Sequence, residues 1–541
     1  MKILFIALNS PSHLSIWNYL SIEALIGHIN GIYSDKDIQC STLYCNSNKD
    51  VKKIIKEINS GKYKLIGFSI QSYTLDFFNK IIKKLKHTNS IFLFGNQLPT
   101  YFPKEILQIV LSNTRISYNQ AFCVMGEGEK TIADVIDLIL YKILNIDNLK
   151  TINNIVYYNG NSFNDKTVKK VAPILSKLPY PPQYDLLKIN KNSSVQMQLS
   201  RGCGHAKCSY CTRFSFRHYK KWESFSIERI EKDLKNIILN LKCKIIEFSD
   251  DEFFGGTEKV HIQRLNKILD IIENTGEKIS YRLFIRPDSI YKKGNPNNHE
   301  IERILKRMKK TGLERIYIGI ESGSCSQLKR YNRGLDKDVI IKSIEILQKL
   351  NIPFDCGFIL FDPKLNLDEL IESAEFYLKY NLIKGNQWFW RSLIINKGSF
   401  WGEDLAAFKI KKFNLNSMSY DYEIEDPQVR YIMNIARSKS KTTSVLFYAL
   451  KQITKRNFSC DNENEVSVAK ELVEKNGIIY VQLIRELGIS LKNNNRKNLK
   501  KAIYEANKNL KLVIQETLDK IDYFKNKNDR IFLQKLLTGI K

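Results

Sequence analysis

No run of about eighteen apolar residues interrupts the 541-residue chain, so a membrane span is not expected. The apolar opening Lys2–Leu8 is cut short by Asn9, Ser10 and Pro11, and no small-residue cleavage site follows. It reads as a first buried strand rather than a signal peptide. Cysteine is scarce outside one stretch: Cys40, Cys45, Cys123, Cys243, Cys325, Cys356 and Cys460 are scattered. That pattern speaks against a disulfide framework and fits a reducing, cytoplasmic compartment. Carboxylates are outnumbered, with 57 Asp and Glu against 85 Lys and Arg, a formal charge of +28. The lysines are spread over every segment instead of massed in one arm. The surplus therefore reads first as solvated surface; a nucleic-acid partner stays possible and is not favoured.

Against this sparse background Cys203, Cys208 and Cys211 crowd into nine residues, in the stretch Leu199-Ser-Arg-Gly-Cys-Gly-His-Ala-Lys-Cys-Ser-Tyr-Cys211. Three thiolates at this spacing hold three irons of a four-iron cluster and leave the fourth without a protein ligand. An open metal position binds and activates a substrate, as a closed structural site does not. A zinc site completed by His205 is the other reading of the same spacing.

The surrounding pattern is α/β. Residues 1–145 alternate apolar runs (Lys2–Leu8, Ile38–Tyr44, Leu65–Ile70, Ile91–Phe94, Phe122–Met125) with amphipathic stretches such as Asp50–Ile58 and Leu75–Leu85. This predicts a Rossmann-like, doubly wound parallel sheet whose ligands bind at the carboxyl ends of its strands. The loops at those ends are Ser69–Thr74, Gly95–Pro103 and Gly126–Thr131. Residues 146–189 read as a linker with a hairpin, Asn154–Asp165, turning at Asn159-Gly160, then a stiff Pro-rich segment, Leu178–Asp185.

Alternation restarts over residues 190–400, with strands expected at Val195–Ser200, Lys244–Ser249, Ile279–Ile285, Arg315–Ile320, Phe354–Leu360 and Trp388–Ile395. Helices are expected between them, as at Ile227–Asn240, His299–Thr311 and Asp336–Leu350. Six units predict a partial (β/α)6 TIM-type barrel working at its carboxyl-terminal face. Cys203 follows the first strand, Asp250 and Asp251 the second, Arg286 the third, Glu321 the fourth and Asp362 the fifth. Residues 401–541 read as a helical C-terminal domain. Its segment Lys500–Phe524 carries Ile503, Leu510, Ile514, Leu518 and Ile521 along one stripe, and the domain is expected to cover the barrel mouth.

Two resemblances refine this reading. The opening Met-Lys-Ile-Leu, Gly67-Phe-Ser69, Gly95–Pro103 and Gly126-Glu-Gly-Glu129 together resemble the cobalamin-binding domain found in front of many radical S-adenosylmethionine (SAM) enzymes. The cysteine triplet with Tyr210, Glu247–Phe253, Arg286-Pro-Asp288, Ile318–Ser324 and Gly357-Phe-Ile359 resemble the radical SAM superfamily. The resemblance implies a [4Fe-4S] cluster on Cys203, Cys208 and Cys211, with S-adenosylmethionine on the open iron. It also implies contacts to S-adenosylmethionine from Tyr210, Asp250, Asp251, Arg286, Glu321 and Gly323, and to cobalamin from Ser69, Gly95, Gly126, Glu127 and Gly128. Structural alternatives stand beside these roles: loop packing for Tyr210, helix capping for Asp250 and Asp251, and an ion pair between Arg286 and Glu321. An external electron donor such as flavodoxin or ferredoxin and a small-molecule or peptide substrate belong to the same implication.

Three departures accompany the likeness. No Asp-x-His-x-x-Gly loop offers a histidine to cobalt. Asn96 stands where a glycine commonly follows Gly95. The triplet has four residues between its first cysteines where three are usual, so a bulge is expected among Gly204–Lys207, eased by Gly204. Residues 401–541 hold a single cysteine, Cys460, which excludes the Cys-rich extension of many peptide-modifying relatives; Cys40, Cys45 and Cys123 are wrongly spaced for the second cluster of tRNA methylthiotransferases. The leading expectation is a cobalamin-dependent C-methyltransferase acting on an unactivated carbon. The alternatives are a cobalamin-independent cyclase, rearranging or bond-forming radical enzyme with a vestigial first domain, which Asn96 favours, and a basic, zinc-stabilised nucleic-acid-binding protein.

Overall fold

The strictly apolar first strand dictates how the chain begins to fold: β1 (Lys2–Leu8) buries Ile3 to Leu8 almost completely, which requires cover on both faces. Its alternate residues feed two separate cores. Leu4, Ile6 and Leu8 pack with helices Asn48–Asn59, Leu75–Ile82 and Pro103–Asn113; Ile3, Phe5 and Ala7 pack with helices Leu20–Ile32 and Glu129–Leu140. A computed structural model describes residues 1–9, 19–86, 88–184, 194–218, 220–385, 392–454, 463–524 and 526–540.

β1 is joined by β2 (Gln39–Cys45), β3 (Leu65–Ser69), β4 (Ile91–Gly95), β5 (Ala121–Val124) and β6 (Ile155–Val156), in the order β2-β1-β3-β4-β5-β6. All neighbours are parallel except β5 and β6. Strand order reverses between β1 and β3, which opens a crevice at their carboxyl ends, beside Ser69. The linker hairpin forms: Tyr158 bridges Phe163, and Gly160 takes φ 98° in the turn.

The second parallel sheet has the order β13-β12-β11-β10-β7, from β7 (Ser194–Met197), β10 (Ile245–Phe248), β11 (Ser280–Ile285), β12 (Leu313–Glu321) and β13 (Phe354–Phe358). A two-stranded antiparallel ribbon, β8 (Ser200–Arg201) and β9 (Glu223–Ser224), carries the cysteine loop between its strands. Helices Lys259–Asn274, Asn298–Lys310, Lys337–Lys349 and Leu367–Lys379 lie between the later strands in sequence, and Ile227–Lys235 continues as a π-helix, Asn236–Asn240. Where a sixth strand was expected, at Trp388–Ile395, residues 386–391 lie outside the described residues. Ser392 makes one parallel bridge to Phe361.

The carboxyl-terminal third departs from the all-helical expectation. A small antiparallel sheet precedes the helices: β14 (Ile395–Asn396), β15 (Ile410–Asn414) and β16 (Ser419–Tyr422), ordered β14-β16-β15. Phe413 on β15 reaches Phe102 of the first domain, with ring centroids 5.1 Å apart, so this sheet is a brace between layers. The helices Pro427–Thr454, Glu463–Lys492, Arg496–Asp519 and Lys527–Ile540 follow. Helix Pro427–Thr454 reaches the segment beyond β13 through Arg437, which donates to the Ser392 hydroxyl at 2.6 Å. Helix Glu463–Lys492 lies along the outer barrel helix Leu367–Lys379, close enough that a Cβ on Gly488 would sit 2.7 Å from Ile371. The apolar stripe serves this packing: Leu510 is buried, and Ile503, Ile514, Leu518 and Ile521 pack against the same core. Among the described residues no helix is long and apolar enough to cross a membrane.

Candidate active site between two sets of strand ends

The cysteine loop begins at Gly202, whose φ of 86° and whose neighbour, the Lys221 carbonyl oxygen 2.7 Å from where a Cβ would be, leave room for glycine alone. Within the Gly204–Lys207 stretch where a bulge was expected, the left-handed residue is Ala206, with φ 51°, while Gly204 takes no positive φ. A left-handed alanine costs about 1–2 kcal/mol, so the loop holds that conformation against a local penalty. The amides of Ala206 and His205 donate to the Cys203 sulfur and that of Arg213 to Cys211. Arg333 Nη1 lies 3.4 Å from Cys208 Sγ. Burial pushes the Cys203 thiol up, and the Cys211 thiol up to about 11. Amide and guanidinium donors aimed at sulfurs that burial disfavours as free thiolates suit thiolates whose charge is taken up by metal.

The donor set, three cysteines of one loop with cationic donors beside them, fits an iron–sulfur cluster; His205 Nε2 is engaged by the Asn332 carbonyl at 2.6 Å. Zinc needs four ligands around one centre, whereas a cubane spreads its thiolates over different irons. Arg286 adds an unpartnered, buried Nη1 near Cys203, a donor facing the place where an anionic cluster would sit.

The neighbouring carboxylates separate by the alternation of β10. Asp250 turns away from the loop. Its oxygens take the Leu199 amide, at 3.2 Å, and the Ser200 hydroxyl, and burial pushes its carboxyl up to about 7. It ties strand ends together and is not free to hold an ammonium group. Asp251 faces inward, accepting from the Gly202 amide at 3.1 Å and pairing with Arg213 at 3.1 Å.

Arg286 does not pair with Glu321. It forms a two-point bridge with Asp288, at 2.8 and 2.9 Å, and Glu321 instead stands 4.0 Å from Arg333. Glu321 ends β12 in a left-handed conformation, φ 71°, beside a register shift. Burial raises its carboxyl and the Tyr210 hydroxyl is its hydrogen-bond partner. Tyr210 also sets its ring edge-on to Tyr331, centroids 5.5 Å apart. Gly323 does not face a cofactor space: a Cβ there would lie 2.3 Å from Phe376 of the outer helix, so helix packing requires it. Arg333 and Arg213 were missed by the sequence reading because no motif marks them.

The first domain's strand ends meet the barrel across a cavity of about 400 Å³. Ser69, Gly95, Gly126, Glu127 and Gly128, the residues for which the resemblance implies contact with cobalamin, all line it, as do Gln196, Gln198, Ser249 and Asp251 from the barrel. Gly95 presents open space, whereas a Cβ on Gly126 would lie 2.6 Å from His218 Nε2. Glu127 is less available than the sequence suggested: it pairs with Arg217 at 2.9 Å and with Arg201 at 3.4 Å, and Arg201 also holds Glu129 at 2.6 Å. Burial alone would raise the Glu129 carboxyl; Arg201 outweighs it and holds the group at about 2. These buried charges couple the first domain to Arg201, two residues before Cys203. Asn96 keeps a glycine-like backbone, φ 82° and ψ −157°, a region that costs a side-chain-bearing residue about 1–3 kcal/mol.

Residues 197–377 match the model of the Radical SAM superfamily. The chain carries a radical SAM domain. Among similar proteins, the 4'-phospho-dehydrooxetanocin synthase of Priestia megaterium is 28% identical over 345 residues, 60% of this chain and 44% of that protein. An uncharacterized methyltransferase of Pyrococcus horikoshii is 24% identical over 340 residues, 61% of this chain and 66% of its own length. The matches thus span less than two thirds of either relative. In fold, the radical SAM domain and its partners superpose on the cobalamin-dependent S-adenosylmethionine radical enzyme OxsB, solved with aqua-cobalamin and with S-adenosylmethionine. The TM-score is 0.80 at 20% identity, over 100% of this chain and 83% of that one. The radical SAM methyltransferase TsrM of Kitasatospora setae gives 0.54 at 12% identity, over 70% of this chain and 71% of that one.

Proposed function

We propose that this protein is a cobalamin-dependent radical SAM enzyme, in first reading a methyltransferase acting on an unactivated carbon of a small molecule or peptide. The observation that carries the reading is the cavity walled on one side by Ser69, Gly95 and Gly126 of the first domain and on the other by Ser249 and Asp251 of the barrel, beside the cysteine loop. When bound, the cluster would supply the electron that cleaves S-adenosylmethionine to a 5′-deoxyadenosyl radical, and cobalamin the methyl group.

This chain's residues would do the holding and positioning. Cys203, Cys208 and Cys211 would ligate iron, while Arg286 Nη1, Arg333 and the loop amides neutralise its charge. Asp251 is the carboxylate placed to accept from a cationic ligand at the cavity edge, whereas Asp250 fixes the strand ends that carry the loop. The Tyr210 hydroxyl and Arg333 orient Glu321. Closing the two domains over the cavity excludes water from a reaction that water would quench.

The test is anoxic reconstitution with iron, sulfide and hydroxocobalamin. A corrin band beside the iron–sulfur absorption, 5′-deoxyadenosine formation with dithionite, and a product heavier by one methyl group are the expected results. A second reading, a bond-forming or ring-rearranging enzyme, is supported by the synthase relative; its product would gain no methyl group. Failure to retain or respond to cobalamin would remove the first reading's support.

A further inference from the structure

Asn96 occupies a backbone conformation, φ 82° and ψ −157°, that glycine enters freely and other residues do not. The known tolerance of asparagine for positive φ applies to the left-handed helical region, with ψ near +45°, and not to this one. A side chain kept under such strain at a cavity wall calls for a use, and the hydrogen bonds define it. The Gln97 amide donates to Asn96 Oδ1 at 2.8 Å, which fixes the carboxamide's orientation and turns Nδ2 onto Ser69 Oγ at 2.9 Å. Thr100 anchors the same loop, donating to the Asn96 carbonyl at 2.7 Å and accepting from the Gly126 amide at 2.9 Å. The Ser69 oxygen is therefore an acceptor toward Asn96. Its own proton has no acceptor among the described residues, and both side chains line the cavity.

We infer that Asn96 is a positioning residue: it presets the Ser69 hydroxyl as a hydrogen-bond donor into the cavity, so that the site selects a ligand presenting an acceptor there. The inference rests on the cobalamin reading above and deepens it, because it makes the departure from glycine part of the binding site instead of a sign of a vestigial one.

The probe is hydroxocobalamin, titrated by absorbance into cluster-reconstituted protein, with thermal unfolding measured in parallel. Asn96→Gly relieves the strain and is expected to raise the unfolding midpoint while weakening binding about three- to tenfold, the worth of one oriented hydrogen bond. Asn96→Asp, of nearly the same shape, draws the Ser69 proton to itself and is expected to weaken binding to a similar degree. Ser69→Ala should show the same loss, and Ser69→Ala with Asn96→Gly no further loss, because both remove one donor. Stability rising while binding falls is a pattern that a merely structural asparagine does not give. Unchanged or tighter binding in Asn96→Gly, or additive losses in the double variant, overturns the inference. If wild-type protein takes up no hydroxocobalamin, the cobalamin reading itself falls, and this inference with it.

Discussion

The two sets of strand ends that face each other across the cavity are built by different means. On the first-domain side the rim is backbone and small groups, with Gly95 open, Gly126 at φ 70° and Asn96 bent into a glycine conformation, set against apolar Phe5, Leu93 and Ile132 and the carboxylates Glu127 and Glu129. On the barrel side the wall is richer in charge, and three of its guanidinium groups are paired, two of them across the seam: Arg213 with Asp251, Arg201 with Glu129 and Arg217 with Glu127. A rim of backbone accommodates a large rigid ligand by shape, whereas a wall of prepaired charges fixes the orientation of small ionic groups and of the loop that holds metal. The division fits a bulky cofactor on one side and a chelated small one on the other.

The comparison breaks first at the cysteines. Cys203→Ala, Cys208→Ala or Cys211→Ala is each expected to reduce 5′-deoxyadenosine formation with dithionite to the uncatalysed background, because two thiolates cannot hold a site-differentiated cluster. Cys40→Ala and Cys243→Ala should leave it near wild type, since isolated cysteines behave as small apolar residues. Wild-type cleavage in any triplet variant would defeat the assignment of the barrel side to metal.

The seam between the sides is the next largest effect. Glu127 is buried against Arg217 and Arg201, and removing it leaves two guanidinium groups without that partner in a dry interface. Glu127→Ala should destabilise the protein by about 3–5 kcal/mol in urea unfolding, the usual cost of breaking a buried pair from one end. A loss under about 1 kcal/mol would mean the seam is solvated and the two walls are not rigidly joined.

What the sequence made legible follows the same division. Periodicity located both parallel sheets, because strands buried on two faces read as continuous apolar runs at Lys2–Leu8 and Leu65–Ile70. The cysteine triplet was legible because metal ligation depends on spacing within one loop. The roles of single side chains were not, because they depend on which face of a strand a residue takes and on partners far away in sequence. Asp250 and Asp251 are adjacent, yet one holds Leu199 and Ser200 and the other Gly202 and Arg213. Gly323 sits in a motif-like stretch, but Phe376 is what requires it. Arg333 follows no pattern at all and reaches Cys208 only through folding. The hairpin β15–β16 was missed because its strands are short and polar: Lys411, Lys412 and Asp421 break any apolar alternation.

The tie that Asp250 makes between strand ends has a signature in pH. Burial pushes the Asp250 carboxyl from its ordinary value near 3.8 up to about 7 in the folded protein. The folded state therefore holds a proton that the unfolded chain has already lost. The stability this contributes is full below about pH 4 and is lost as pH rises through 7, on the order of 2–4 kcal/mol. Urea midpoints at pH 5 and pH 8 should differ more in wild type than in Asp250→Asn, which has no proton to lose. Asp233, also pushed up to about 7 by burial, adds the same slope to both proteins and cancels in the comparison. Equal slopes would show that Asp250 is ionised throughout and solvated through the strand ends.

The smallest effect concerns the extra residue of the cysteine loop. If the added residue is accommodated by strain at Ala206, φ 51°, and not by freedom at Gly204, then Ala206→Gly should relieve it. The gain from releasing a left-handed alanine, about 1–2 kcal/mol, is offset in part by the greater unfolded-state entropy of glycine. The net expectation is a stabilisation of about 0.5–1 kcal/mol in cluster-free protein. The amide of residue 206 would still be present to donate to Cys203, so the iron content after reconstitution should not change. Gly204→Ala is the matching control: Gly204 takes no positive φ and the nearest atom to a Cβ there, the Gly255 carbonyl oxygen, is at 3.6 Å, so the change should be near neutral. A destabilising Ala206→Gly would mean that the alanine methyl packs usefully in the loop; a large loss in Gly204→Ala would mean that the loop depends on glycine at 204 as well.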